Sequence, residues 1–202
     1  MSDDAPNSQE MTIQQALEQA LQHHNAGRFP DAENIYNQIL QAEPNHPRVL
    51  NLMGVLAHQV GKNDIAVDYF SKAIDSYPDY AEAHYHMAMG LKALGRLDES
   101  ISSYRKSLSL DPDNVNVHYN FGNLLNQLER FDEAALCYQK AIIRKPDFAE
   151  AYNNLGFVMH KLDRQDEALE NYQKALQLNP QYADSLNNLG NLLRVRPKSL
   201  SV

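Results

Sequence analysis

Three side-chain amides recur on one spacing: Asn120, Asn154 and Asn188 stand 34 residues apart. Each amide offers N–H donors and a carbonyl acceptor together. A row of them therefore pairs with a peptide backbone whatever side chains that peptide carries. His86 takes the corresponding place one period earlier, with Leu52 and Glu18 before it. Asn123 and Asn191 follow the row by three residues and Asn126 by six, extending the polar surface toward the C-terminal half. The earlier counterparts of Asn123 are Leu21, Val55 and Met89, so the surface is expected to grade from apolar to amide-rich.

Other reactive residue types lead nowhere comparable. His24, His58 and His160 share one register of the period, and His84 and His118 share another. No cysteine cluster or carboxylate spacing completes a metal site around them, so neither metal nor cofactor is expected. Cys137 is the only cysteine, next to an expected core residue, Tyr138, and reads as packing rather than as a nucleophile. A phosphate-binding glycine loop, a His-Glu-x-x-His motif and a nucleophile elbow are all missing from the sequence. The reading is a non-catalytic protein.

The elements that must position the amides are marked by prolines. Pro44, Pro78, Pro112, Pro146 and Pro180 are each 34 residues apart, without insertion or deletion. A period of that length signals a helix–turn–helix repeat. With proline at position 32, five repeats run 13–46, 47–80, 81–114, 115–148 and 149–182, and a half repeat follows at 183–196. Apolar or small residues at positions 4, 7, 8 and 11 form one stripe on the first helix. Positions 20, 24, 27 and 28 do the same on the second. Proline at 32 drives the residue before it out of helical geometry and ends the pair. Position 15 is glycine in repeats one to three but Glu129 and Asp163 in repeats four and five, which leaves a left-handed turn there open.

Bulk properties fit one all-α solenoid flanked by a flexible tail at 1–12 and a short tail at 197–202. A net charge of −8 disfavours nucleic acid or an anionic membrane as the main partner. No segment reaches the roughly 18 apolar residues of a membrane span. With a single cysteine and no secretory signal, a cytoplasmic location is expected.

The small residues at position 8 (Gly54, Ala88, Gly122, Gly156), the alanines at 20, the aromatics at 24 and the prolines at 32 resemble the tetratricopeptide repeat (TPR) family over about 13–196. That resemblance implies antiparallel helix pairs stacked into a superhelix, with a concave groove lined by first helices that binds peptides or proteins. The stretch from Gln15 to Glu33 is also similar to the start of bacterial proteins related to O-GlcNAc transferases. The amide row resembles the asparagine ladder of that family; the alternative is a residue inherited by duplication, since asparagine before Leu-Gly is common in TPR sequences. A family mode that clamps a free carboxylate is not expected here. It needs cations at positions 2, 5 and 6, whereas position 5 reads Leu17, Asn51, Tyr85, Tyr119, Asn153 and Asn187, and only Arg48 fits at position 2.

The expected function is a protein-interaction scaffold that binds an extended peptide or partner protein. Two alternatives stand beside it. One is self-assembly as a homo-oligomer through the last helix, where Leu186, Leu189, Leu192 and Leu193 are expected to leave apolar surface uncovered. The other is a substrate-recruiting arm of a larger glycosyltransferase-like enzyme, whose catalytic domain this chain has no room for.

Overall fold

The computed structural model describes residues 12–195; apart from Thr12, the tails expected at 1–12 and 197–202 lie outside the described residues. Eleven α-helices and no strands occur among them. They are α1 (Ile13–Asn25), α2 (Phe29–Ala42), α3 (Pro47–Gln59), α4 (Asn63–Ser76), α5 (Ala81–Ala93), α6 (Leu97–Leu110), α7 (Val115–Gln127), α8 (Phe131–Arg144), α9 (Ala149–Lys161), α10 (Gln165–Leu178) and α11 (Ala183–Val195). Contacts gather the chain into two compact units, Met1–Ser100 and Ile101–Val202, with the boundary inside α6.

Helix ends follow from local chemistry. Thr12 opens α1 with a reciprocal capping box to Gln15. His46 and Asn114 accept the backbone N–H of Val49 and Val117 at the starts of α3 and α7. Glu43, Tyr77, Lys145 and Asn179, each just before a ladder proline, sit at φ between −129 and −142° with ψ of 83–94°. Proline's ring excludes helical geometry from the residue it follows, so each second helix stops on cue.

The turn inside each pair is the same whether or not glycine is present. Gly27, Gly61 and Gly95 have φ of 72–79°, and Glu129 and Asp163 adopt φ of 56° and 59° in their place. Glu129 N–H bonds Asn126 O (3.0 Å) and Arg130 N–H bonds Leu125 O (2.9 Å), as Gly27 and Arg28 do with His24 and His23. Those bonds satisfy the last carbonyls of the first helix, and they hold two non-glycine residues in a left-handed conformation that side chains disfavour.

Two stripes, rather than one, are buried on the first helices α3, α5, α7 and α9. One faces the helix's own partner: Met53, Gly54 and Ala57 of α3, Phe121, Gly122 and Leu125 of α7, and Leu155, Gly156 and Met159 of α9 are buried. Aromatics at position 24 fill the remaining space, and Tyr36, Phe70, Tyr138 and Tyr172 are all at most 1% exposed. The second stripe, at positions 3 and 10, packs on the preceding repeat. Val49 and Leu56 join the cluster of Ala32, Ile35, Tyr36 and Ile39 from α2, and a methyl added at Gly90 would stand 3.1 Å from Val67 of α4. In repeat one the same two positions are Gln15 and Gln22, both exposed.

That second stripe corrects one expectation. Leu192 lies at position 10 and is completely buried, so it adds no open surface. Leu186 and Leu193, which face the side where a partner helix packs in other repeats, are 51% and 53% exposed, and Leu189 is half-buried.

Candidate functional site

In the unit Ile101–Val202, α7, α9 and α11 bring the amides together. Tyr138 Oη donates to Asn123 Oδ1 (2.8 Å), which also accepts Asn154 Nδ2 (2.9 Å). Asn154 Nδ2 reaches Tyr119 Oη as well (3.4 Å), and Asn154 Oδ1 accepts from Asn153 Nδ2 (3.1 Å). Asn153 Oδ1 then accepts both Ser185 Oγ (2.9 Å) and Asn188 Nδ2 (3.1 Å). Burial pushes the pKa of the Tyr138 hydroxyl up, so it stays a proton donor at the head of this chain. Asn120 Nδ2 donates to the backbone oxygen of Asn116 (3.0 Å), and Asn191 is exposed.

The spacing that looked like a one-residue row is therefore a two-residue device. The side chain at position 6 bonds the one at position 5 of the preceding repeat: Asn188 to Asn153, Asn154 to Tyr119, and His86 to Asn51 (3.0 Å). Asn51 and Asn153 are only 1% and 5% exposed. Sequence reasoning treated position 5 merely as lacking cations. The signal for its role was present in the recurrence of amide or phenol at a site beside the core.

Beside this relay is a recess of about 390 Å³ lined by Asn126, Asn153, Asn154, Phe157, Asp184, Asn187 and Asn188. Asn126 Oδ1 is buried there without a hydrogen-bond partner. A buried acceptor left unpaired costs on the order of 1–3 kcal/mol, which a donor recovers once the side chain turns the oxygen toward it. The Asp184 carboxylate is likewise an acceptor, so the unused capacity of the recess calls for donors. Lys161 Nζ stands 5.4 Å over the Phe157 ring and supports it from one side.

The unit Met1–Ser100 has a different surface. A recess of about 430 Å³ is lined by Leu21, His24, Phe29, Leu52, Val55 and Gln59, among others. His24 is fixed in it: Nδ1 accepts from Tyr36 Oη (3.1 Å) and Nε2–H donates to Gln59 Oε1 (2.9 Å). The expected apolar residues Leu21 and Val55 do line this recess. His86 is held by Asn51 and by ring contacts with Phe70 and Tyr85 at 5.7 and 5.2 Å. Burial, with a smaller contribution from His58, pushes its pKa down to about 4.

Two further histidines and the cysteine occupy structural places. His84 and His118 donate Nε2–H to the carbonyls of Pro78 and Pro112, both at 2.8 Å, tying first helices to the proline turns. Cys137 is buried, and that burial raises its thiol pKa to about 11. Among the described residues no three His, Cys, Asp or Glu side chains come together in a group able to hold a metal ion.

Helix pairs repeating every 34 residues, with an amide-lined face built from first helices, define a helical-repeat protein. Family profiles described as TPR repeat match residues 91–128, 122–163 and 162–193, and one described as Tetratricopeptide repeat matches 17–81. The chain belongs to the TPR family, and its fold is the all-α solenoid of that family, five helix pairs and a further helix. No curated protein sequence matches it. Among solved structures, MamA 41-end from Desulfovibrio magneticus RS-1 is 19% identical with a TM-score of 0.74, covering 86% of this chain and 99% of that one. A thermophilic TPR protein of Thermus thermophilus is 21% identical (TM-score 0.67; 91% and 100% covered). YrrB, described as a TPR protein with an unusual peptide-binding site, is 18% identical (TM-score 0.72; 89% and 92% covered).

Proposed function

We propose that this protein is a non-catalytic interaction scaffold that binds an extended peptide segment of a partner protein across the amide face of α7, α9 and α11. The observation that carries this reading is the recess holding Asn126 Oδ1 as a buried, unpaired acceptor among four further asparagines and Asp184. A peptide backbone N–H laid there pairs the orphan oxygen once the Asn126 side chain turns it into the recess, and a donor-rich side chain meets Asp184. The Tyr138–Asn123–Asn154–Asn153–Asn188 relay fixes the surrounding amides, so little side-chain freedom is lost on binding. YrrB, with its unusual peptide-binding site, supports binding of this general kind on this fold.

The experiment is selection of binders from a random-peptide display library on the full chain, followed by affinity measurement with the selected peptide. Asn126→Leu removes the acceptor without touching the relay and is expected to weaken binding by about 1–3 kcal/mol, roughly five- to 150-fold. Affinity unchanged in Asn126→Leu and in Asp184→Asn moves the peptide off this face. Asn120→Ala is expected to have the smaller effect, because Asn120 does not line this recess.

A further inference from the structure

The groove between α2 and α4, floored by α3, departs from its counterparts in the same chain. In repeats three to five an arginine at position 16 holds a glutamate at position 19: Arg96 with Glu99, Arg130 with Glu133 and Arg164 with Glu167, at 2.6–2.7 Å. Arg164 also has the Asp132 carboxylate of the preceding second helix nearby, from position 18. Repeat two keeps the cation, as Lys62, and loses both acids, because position 19 is Ile65 and position 18 of repeat one is Pro30. Every other repeat has Asp or Glu at position 19, and every repeat after the first has Asp at 18. The result is a recess of about 460 Å³ within the unit Met1–Ser100, with apolar walls of Phe29, Met53, Leu56, Val60, Ile65 and Tyr69. Val60 and Ile65 are 44% and 42% exposed. Lys62 of α4 and Glu33 of α2 also line it, and the place of Glu33 is Val67, Ile101, Ala135 or Leu169 in later repeats. Among the described residues neither Lys62 nor Glu33 makes an ion pair.

We propose that this groove binds a segment of a partner protein in which an apolar side chain is flanked by one acidic and one basic residue. The apolar side chain covers Ile65 and Val60. The carboxylate replaces on Lys62 the glutamate that later repeats supply from within, and the cation meets Glu33. Burial of apolar surface gives the affinity, and the two opposite charges give the preference. Missing chain does not account for the opening. Helices α2, α3 and α4 are described from end to end and the next repeat is in place, so the difference from later repeats lies in the residues themselves. Residues 1–11 have no basic side chain and residues 196–202 no acidic one, so neither tail carries the pattern. The groove is made of other helices than the amide recess, and the proposal does not rest on that reading.

The test selects peptides from a random display library on the full chain and discards those that also bind the Ile65→Glu variant. Three later repeats carry glutamate at this position and Ile65 is exposed, so the substitution keeps the fold, as helical circular dichroism would verify. The peptides that remain are expected to share an apolar residue flanked by an acidic and a basic one. They should bind Asp184→Asn as tightly as the unaltered chain, which separates them from ligands of the amide recess. Lys62→Glu is expected to weaken them by at least about tenfold. Replacing the acidic residue of the peptide by lysine should restore binding to that variant, a rescue that misfolding does not imitate. The proposal is overturned if the library yields no peptide sensitive to Ile65→Glu, or if Lys62→Glu binds unchanged or is not rescued. A dimer in sedimentation equilibrium that Ile65→Glu dissociates also overturns it, by giving the groove to a second copy. Methyl signals of Val60 and Ile65 that shift when residues 1–11 are removed overturn it too, by giving the groove to the chain's own tail.

Discussion

Two tyrosines at the same register show how one neighbour decides the value of a hydroxyl. Tyr138 Oη has Asn123 as its acceptor, whereas Tyr172 Oη is buried without a partner because Phe157 stands where Asn123 would be. Tyr138→Phe is therefore expected to lower stability by about 1 kcal/mol. Tyr172→Phe should be neutral or stabilising, since it removes an unpaired polar group. Chemical denaturation of both variants checks the contrast, and a larger loss at Tyr172 would contradict it. Glycines of one register divide in the same way. Gly156→Ala would press on Tyr172 and on the Ala168 carbonyl at 3.2 Å, and should cost about 1–3 kcal/mol through overpacking. Gly190→Ala meets nothing and should gain up to about 1 kcal/mol from helix propensity. Thermal melts of the two variants are expected to move in opposite directions.

At the scale of the element, each first helix works with three faces: toward its own second helix, toward the preceding repeat, and toward the amide or apolar recess. The terminal elements reveal this because each leaves something out. On α1 the positions that pack on the preceding repeat elsewhere carry Gln15 and Gln22, both exposed, and Gln15 also closes the capping box with Thr12. On α11 the same face is used normally, burying Ser185 and Leu192, while the partner-helix face stays apolar and open. The amide relay belongs to this scale too, since it stitches α9 to α7 and α11 to α9 through side chains 31 to 35 residues apart.

For the whole molecule, pH stability turns on the buried groups rather than on the exposed ion pairs. Arg96–Glu99, Arg130–Glu133 and Arg164–Glu167 recur on second helices but lie in solvent, where such pairs contribute little. His86 has its folded pKa pushed down to about 4 from 6.5, so the unfolded chain binds its proton first. Its contribution is complete above about pH 6.5 and is lost as pH falls toward 4, by at most about 3 kcal/mol. Urea midpoints should decline over that window, and His86→Gln should flatten the decline; an unchanged slope would show that other groups control it. The amino-acid sequence by itself determined the period, the helix ends and the all-α class, because proline geometry and helical spacing are local and repeated. It also placed Asn120, Asn154 and Asn188 in one register. Only the tertiary structure decided which of their neighbours matter. The amide-face hydrogen bonds between repeats join residues 31 to 35 apart, so Asn51, Asn153 and Tyr119 became partners through stacking, and no single-helix pattern announces them. Leu192 was misplaced for the same reason. A one-partner helix has one apolar stripe, whereas a helix packed between two repeats has two, and the second is set by the neighbour it meets.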